Sequence, residues 1–296
     1  MKYSSAYLIL LFGLGLSITS CGDPAPEPEK KIDNNILDPK KALKTVFDGK
    51  IFSIPSPIQT SMLIKDLNLE FNGSLTNPTE TLESYTSEYQ KALNLGVYGT
   101  DLGYVSLYKQ NNLSIKYLAA VQKITEMLSL DAAFDQNFLK RFEANVSNQD
   151  SMVMIVSEAF KKSDEFLKNS NRKATSALIL TGGWIESMYF ACEINMQSPS
   201  KKMVQRIGEQ KITLNTIIEL LEEYNENDAH SALITDMKDL EFYFQQIIFD
   251  YTYHEPTTDE GKKLTTFNHD INISIDTGIM NQISMKIRSI REKITA

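Results

Sequence analysis

The chain has 296 residues, a formal charge of −8 at pH 7, 42% hydrophobic residues and 23% charged residues. That balance belongs to an ordinary globular protein and excludes a disordered chain or a multispan membrane protein. The negative charge removes the concentrated basic surface that phosphate recognition needs, so nucleic acid is not an expected partner.

Residues 1–20 read as a leader. Lys2 supplies a positive start, and Ala6 to Leu16 is an apolar stretch too short to span a bilayer comfortably as a permanent helix. It ends in Ile18-Thr19-Ser20-Cys21, which resembles the lipobox of bacterial lipoproteins: a branched apolar residue, two small residues, then cysteine. The resemblance implies cleavage before Cys21, a diacylglycerol on its sulfur, and contact with the membrane through that N-terminal lipid. Gly22 stands where an aspartate would retain some lipoproteins in the inner membrane, which favours the outer membrane. Residues 21–36 then form the lipidated cysteine and a tether. Its prolines and charges, GDPAPEPEKKIDNN, suit an extended chain of about 3 Å per residue. The second cysteine, Cys192, has no intrachain partner and lies in an apolar helical stripe, so it reads as a buried, inert thiol.

Residues 37–296 read as a single all-α domain. Asp38-Pro39, Ser56-Pro57, Asn77-Pro78 and Ser198-Pro199 each place a capping side chain before a proline suited to a first helical position. Glu80 completes a capping-box pattern with Asn77, which predicts a helix with Leu82, Tyr85, Tyr89 and Leu93 on its apolar face and Gly96 at its end. Steps of three and four continue along the chain: Tyr117, Val121, Ile124, Leu128; Met152, Val156, Ala159, Phe166; Leu178, Ile185, Met188, Cys192; and Leu214, Ile217, Leu221. Two more stripes follow, Leu233, Met237, Leu240, Phe244, Ile247, Tyr251, and Met280, Ile283, Ile287, Ile290, Ile294. This spacing predicts amphipathic helices, about eight to ten in all, in a multi-helix bundle or antiparallel helical array. Ile271 to Ile275 alternates as a strand does, without a clear partner. Lys286, Arg288, Arg291 and Lys293 read as a solvated face whose cations complement the end of the last helix.

Two segments depart from simple patterning. Asn94 to Tyr104 holds three glycines and two tyrosines around Asp101, which permits a turn or a close backbone approach. Thr181 to Tyr189 sets paired glycines inside a helical stripe beside Trp184, the only tryptophan. Paired glycines cost a helix about 2 kcal/mol relative to alanine, which points to a tight helix crossing or a ligand. Tyr98, Asp101, Tyr104, Trp184 and Glu186 are therefore the candidate ligand pocket, with capped structural carboxylates and close glycine packing as the alternative.

These LGVYGxDLGY-like and GGWxES-like segments, after the Ile54-Pro-Ser-Pro57 opening, resemble a family of all-helical lipoproteins of the Bacteroidota, over most of the mature domain. The resemblance implies an envelope location and an all-α fold, and brings no activity or catalytic residue with it. His230, His254 and His269 form no metal-ligand spacing and read as surface or loop residues. No metal or cofactor is expected, and no nucleophile elbow, Walker loop or dinucleotide fingerprint is present. The function expected is a noncatalytic binding or interaction module for an envelope protein or small ligand. An enzyme acting through Asp101 and Glu186, or a purely architectural component, are the alternatives.

Overall fold

A computed structural model describes residues 43–296 apart from 48, 49, 55, 56, 134, 135, 146, 147 and 268. The leader, Cys21, the tether and the Asp38-Pro39 helix start lie outside the described residues. The domain opens with an antiparallel pair, β1 (Leu43–Phe47) and β2 (Lys50–Ile54), in which Leu43 faces Ile54 and Phe47 faces Lys50. Pro57 then starts α1 (Pro57–Asp66), where its fixed φ costs nothing. Eight helices follow: α2 (Glu88–Leu107), α3 (Asn111–Met127), α4 (Gln136–Asn145), α5 (Gln149–Asn169), α6 (Lys173–Gln197), α7 (Lys201–Glu223), α8 (Ser231–Phe244) and α9 (Thr277–Thr295). Between α8 and α9 come β3 (Ile248–Tyr253), β4 (Thr257–Asp259), β5 (Leu264–Thr266) and β6 (His269–Ser274). Nine α-helices and three short two-stranded antiparallel ladders among the described residues make this an all-α array, as the periodicity implies.

The centre is α2 packed on α6, the most extensive helix contact in the fold, with α1, α3, α5, α7 and α9 around it. Nearly every side chain of α6 from Thr175 to Asn195 is buried, and α2 is buried from Ala92 to Leu107. A helix with no solvent face has no amphipathic stripe, which is the burial expected when apolar residues run all round it. The outer helices keep their stripes: Met280, Ile283, Ile287, Ile290 and Ile294 of α9 all face the core.

Several boundaries differ from the sequence reading, each for a local reason. The helix expected from Pro78 to Gly96 is instead a short 3₁₀ turn, Thr79–Ser84, followed by a break and then α2. Ser87 outcompetes Asn77 as the cap: its hydroxyl accepts from the Gln90 amide at 3.1 Å, and the Gln90 side chain accepts from the Ser87 amide at 3.2 Å. Gly96 ends nothing, because α2 runs through it to Leu107. Ser198-Pro199 lies in the linker between α6 and α7, and α7 starts two residues later, after Ser200. The α8 stripe overruns its helix: Phe244 is the last residue, Ile247 is buried just beyond, and Tyr251 belongs to β3. The alternation at 271–275 is strand β6 through Ser274, and the partner missing from the sequence reading is β3, with Tyr251 opposite Ile271 and Phe249 opposite Ile273. All described residues fall in one compact unit.

Candidate functional site

The two glycine-rich segments meet, and they do so backbone to backbone. A Cβ on Gly96 would strike the Ile179 carbonyl oxygen, and one on Gly182 would strike the Leu93 carbonyl oxygen, so only glycine allows this approach of α2 to α6. The buried Thr100 hydroxyl bridges the crossing, 3.0 Å from the Gly96 carbonyl and 3.2 Å from that of Gly183. The cost of paired glycines is therefore offset by a tight crossing.

One helical turn beyond the crossing, Asp101 of α2 and Glu186 of α6 face each other at 0% exposure. Arg291 of α9 reaches in and grips Glu186 with two bonds, Nε to Oε2 at 2.6 Å and Nη2 to Oε1 at 2.8 Å. Its Nη2 also donates to the Leu75 carbonyl at 3.2 Å, and its guanidinium lies 4.2 Å from the centre of the Tyr189 ring. Asp101 Oδ2 accepts from the Asn77 amide at 3.1 Å. Among the described residues no N–H or hydroxyl bonds to Asp101 Oδ1; its neighbour is Glu186. Burial raises the Asp101 carboxyl well above its usual range, and the Glu186 carboxylate raises it further. Burial also pushes Glu186 up, and the two-bond grip of Arg291 opposes this by favouring its charged form. A proton taken by Asp101 and shared with Glu186 is the arrangement that gives each of the four oxygens a partner.

The tyrosines continue this closed network. Tyr98 donates to the Pro78 carbonyl at 2.8 Å and lies 3.1 Å from the Thr81 hydroxyl. Thr81 and Asn77 both reach the Tyr85 hydroxyl, at 3.0 and 3.1 Å, and Tyr85 donates to the Thr295 carbonyl of α9 at 3.3 Å. Tyr117 donates to the Asn77 carbonyl at 2.9 Å. Desolvation raises the Tyr98 and Tyr117 phenols far above their usual range, so both remain neutral donors.

The five expected pocket residues do not form one pocket. Tyr98, Asp101 and Glu186 belong to the closed cluster. Tyr104 sits in a separate aromatic group, 5.0 Å from Phe190 and 5.4 Å from Phe71 between ring centres, with its hydroxyl 3.1 Å from the Asn72 amide. Trp184 turns toward α7, where its indole N–H donates to Gln210 at 3.1 Å. Arg291 is the residue the sequence reading missed. The cluster of cations at the end of α9 suggests a solvated face, yet Arg291 is mostly buried, while Lys286 and Lys293 bind Asp236 of α8 and Arg288 binds Glu193 of α6. The available signal was its place four residues after Ile287 and three before Ile294, on the apolar side of α9.

The other chemical candidates lie apart from this cluster. Cys192 is buried, and burial pushes its thiol up to about 12, which makes it unreactive. His230 precedes α8 and, contrary to the surface reading, is buried and stacked on Tyr89 at 5.6 Å; burial lowers its pKa. His254 is exposed, 3.4 Å from Asp270, and the side chain of His269 lies outside the described residues. Among the described residues no three His, Cys, Asp or Glu side chains gather as metal ligands, and no helix is long and apolar enough to cross a membrane.

The space available to a ligand lies elsewhere. A cavity of about 210 Å³ opens between α2, α3, α4 and α5, and none of the five expected residues lines it. Leu95, Gly99 and Leu102 of α2 and Ile179 of α6 form one wall; Phe138, Leu139 and Phe142 of α4 cover it. Gly99 makes room for the Phe160 ring, whose nearest atom is 2.7 Å from where a Cβ would stand. A more open groove between α7 and the β3–β6 ladder is lined by Ile212, Phe249, Ile271 and Ile273. Comparison of the chain with protein-family models, with curated proteins and with solved structures finds no match.

Proposed function

We propose that the chain is a lipid-anchored envelope protein whose helical domain is a noncatalytic binding module for a small apolar ligand, held in the α2–α5 cavity. The carrying observation is that cavity, walled by apolar side chains from five helices. Sites of this kind are concave and mostly apolar, with a few polar groups at one edge. The carboxylate cluster supports the noncatalytic part of the reading. Asp101 and Glu186 are shielded from solvent and spend their hydrogen bonds on Asn77, Arg291 and each other, which leaves neither one placed to exchange a proton with a substrate.

The anchoring part rests on the leader, the lipobox ending at Cys21 and the proline-rich tether. A body held by acyl chains works beside a bilayer, where apolar small molecules concentrate, and each buried methylene of the anchor contributes about 0.8 kcal/mol to its retention. Likeness to the Bacteroidota lipoproteins belongs to the same proposal. In this chain its two motif segments are the two sides of the glycine crossing, a reason for such motifs that needs no catalytic role.

Thermal melting of the purified chain against increasing benzene tests the binding reading. The midpoint is expected to rise with benzene concentration, as for any ligand of the folded state alone, and Ala159→Leu, which places methyl groups in the cavity, is expected to remove the rise. A midpoint indifferent to benzene overturns it. Labelled palmitate incorporation, and its loss in Cys21→Ser together with release from membranes, tests the anchor separately.

A further inference from the structure

The cavity is not apolar all round, and its asymmetry carries information about the ligand. Of its lining residues, Gln122 and Glu126 of α3 bring polar groups to the solvent side, with Glu126 exposed and Gln122 half-buried. The Thr125 hydroxyl beside them is already spent on the Val121 carbonyl at 2.7 Å. Leu139 of α4, across from them, is also only half-buried, so the mouth lies between α3 and α4. Among the described residues, Glu126 is the one lining residue that carries charge. Arg141 of α4 and Lys162 of α5 both pair with Glu158, at 2.8 and 3.3 Å. A ligand seated tail-first would therefore present its polar end to the Glu126 carboxylate at the mouth.

Size sets the tail. An apolar cavity of about 150 Å³ holds benzene, six carbons, so by proportion about 210 Å³ takes roughly eight.

We propose that the cavity takes an alkyl or aryl-alkyl chain of about eight carbons whose polar end is neutral or cationic, an alcohol or an amine rather than a carboxylate. This rests on the cavity being the binding site, as argued above. The polar end bonds to Gln122 and Glu126 while the tail lies against Leu102, Phe142 and Ile179. A carboxylate end meets Glu126 at close range in a water-facing mouth, where the repulsion weakens binding by about three- to tenfold.

Titration calorimetry of the full chain at pH 7 with 1-octanol, octylamine and octanoate tests this, with hexanol and dodecanol as length controls. Octanol and octylamine are expected to bind, octanoate about three- to tenfold more weakly, and both length controls more weakly than octanol. Glu126→Gln, at an exposed position, is expected to close the gap between octanoate and octanol and to weaken octylamine. Octanoate binding as tightly as octanol, or a gap that survives Glu126→Gln, overturns the ligand class while the cavity stands. Binding of none of the three overturns the cavity as a site. Ala159→Leu, and Val121→Phe from the opposite wall if the first fails to fold, are expected to abolish every signal; binding that persists in a folded variant places the ligand elsewhere and also overturns the proposal.

Discussion

A buried aspartate whose pKa is raised on folding makes stability depend on pH in a definite direction. The Asp101 carboxyl has a raised pKa in the folded chain, so folding takes up a proton once the pH passes the unfolded value of about 4. Its contribution is fully present below that pH and is lost as pH rises through the raised folded value, at up to about 1.4 kcal/mol per pH unit. Asp101→Asn keeps the acceptor for Asn77 and supplies an N–H toward Glu186, so it imitates the protonated acid. It is expected to fold normally and to flatten this part of the stability profile, measured by urea unfolding across pH. An unchanged profile would mean that Asp101 is not the group that titrates. Glu186→Gln is expected to behave in the opposite way. It leaves the buried Arg291 guanidinium without its counter-charge and costs about 3–5 kcal/mol. Replacing the pair together, Glu186→Leu with Arg291→Met, is expected to cost less than the sum of the single changes, a coupling that a double-mutant cycle reads directly. Asp101 and Glu186 could be singled out in the sequence because each interrupts an apolar run beside glycines. The cation that answers Glu186 could not, since Arg291 lies 105 residues from it and three other cations surround it on α9.

Elements were legible wherever a helix keeps one wet face. The stripes of α3, α5, α7 and α9 coincide with their buried sides, because solvent on one side and core on the other imprint the helical period on the sequence. Boundaries were less legible where two local signals compete, as with Asn77-Pro78 against Ser87 and Gln90, and the reciprocal capping pair prevailed while Asn77 was drawn into tertiary bonds. The glycines of α2 and α6 divide by what surrounds them, which separates packing from propensity. Gly96→Ala and Gly182→Ala each gain about 1 kcal/mol of helix propensity. Each also drives a methyl into backbone that cannot yield, and the net is expected to be a loss of about 3 kcal/mol or more, seen as a large fall in the unfolding midpoint. Gly99→Ala meets only the end of the Phe160 ring, which can swing toward the cavity, so it is expected to fold with stability close to that of the parent. If all three behave alike, close helix approach is not what the glycines serve.

At the scale of the whole molecule, the last helix closes the fold onto its first third. Asn94 donates to the Ile294 carbonyl at 2.8 Å, Tyr85 to that of Thr295, and Arg291 reaches both Glu186 and the Leu75 carbonyl. None of this long-range closure could be read from periodicity, which places α9 as an apolar-faced helix without saying which surface receives it. The cluster is thus assembled from segments more than 200 residues apart, and it forms only when α9 docks. Removing residues 290–296 deletes Ile290 and Ile294, both buried, together with the guanidinium that answers Glu186, so two carboxyls face each other in the core with nothing to hold either as an anion. That truncation is expected to abolish cooperative urea unfolding followed by circular dichroism, leaving a broad transition with a reduced slope. Deleting Ala296 alone removes none of these groups and is expected to leave the midpoint unchanged. A sharp, parent-like transition in the longer truncation would show that the α2–α6 centre holds the fold without α9, and that the buried charges contribute little to it.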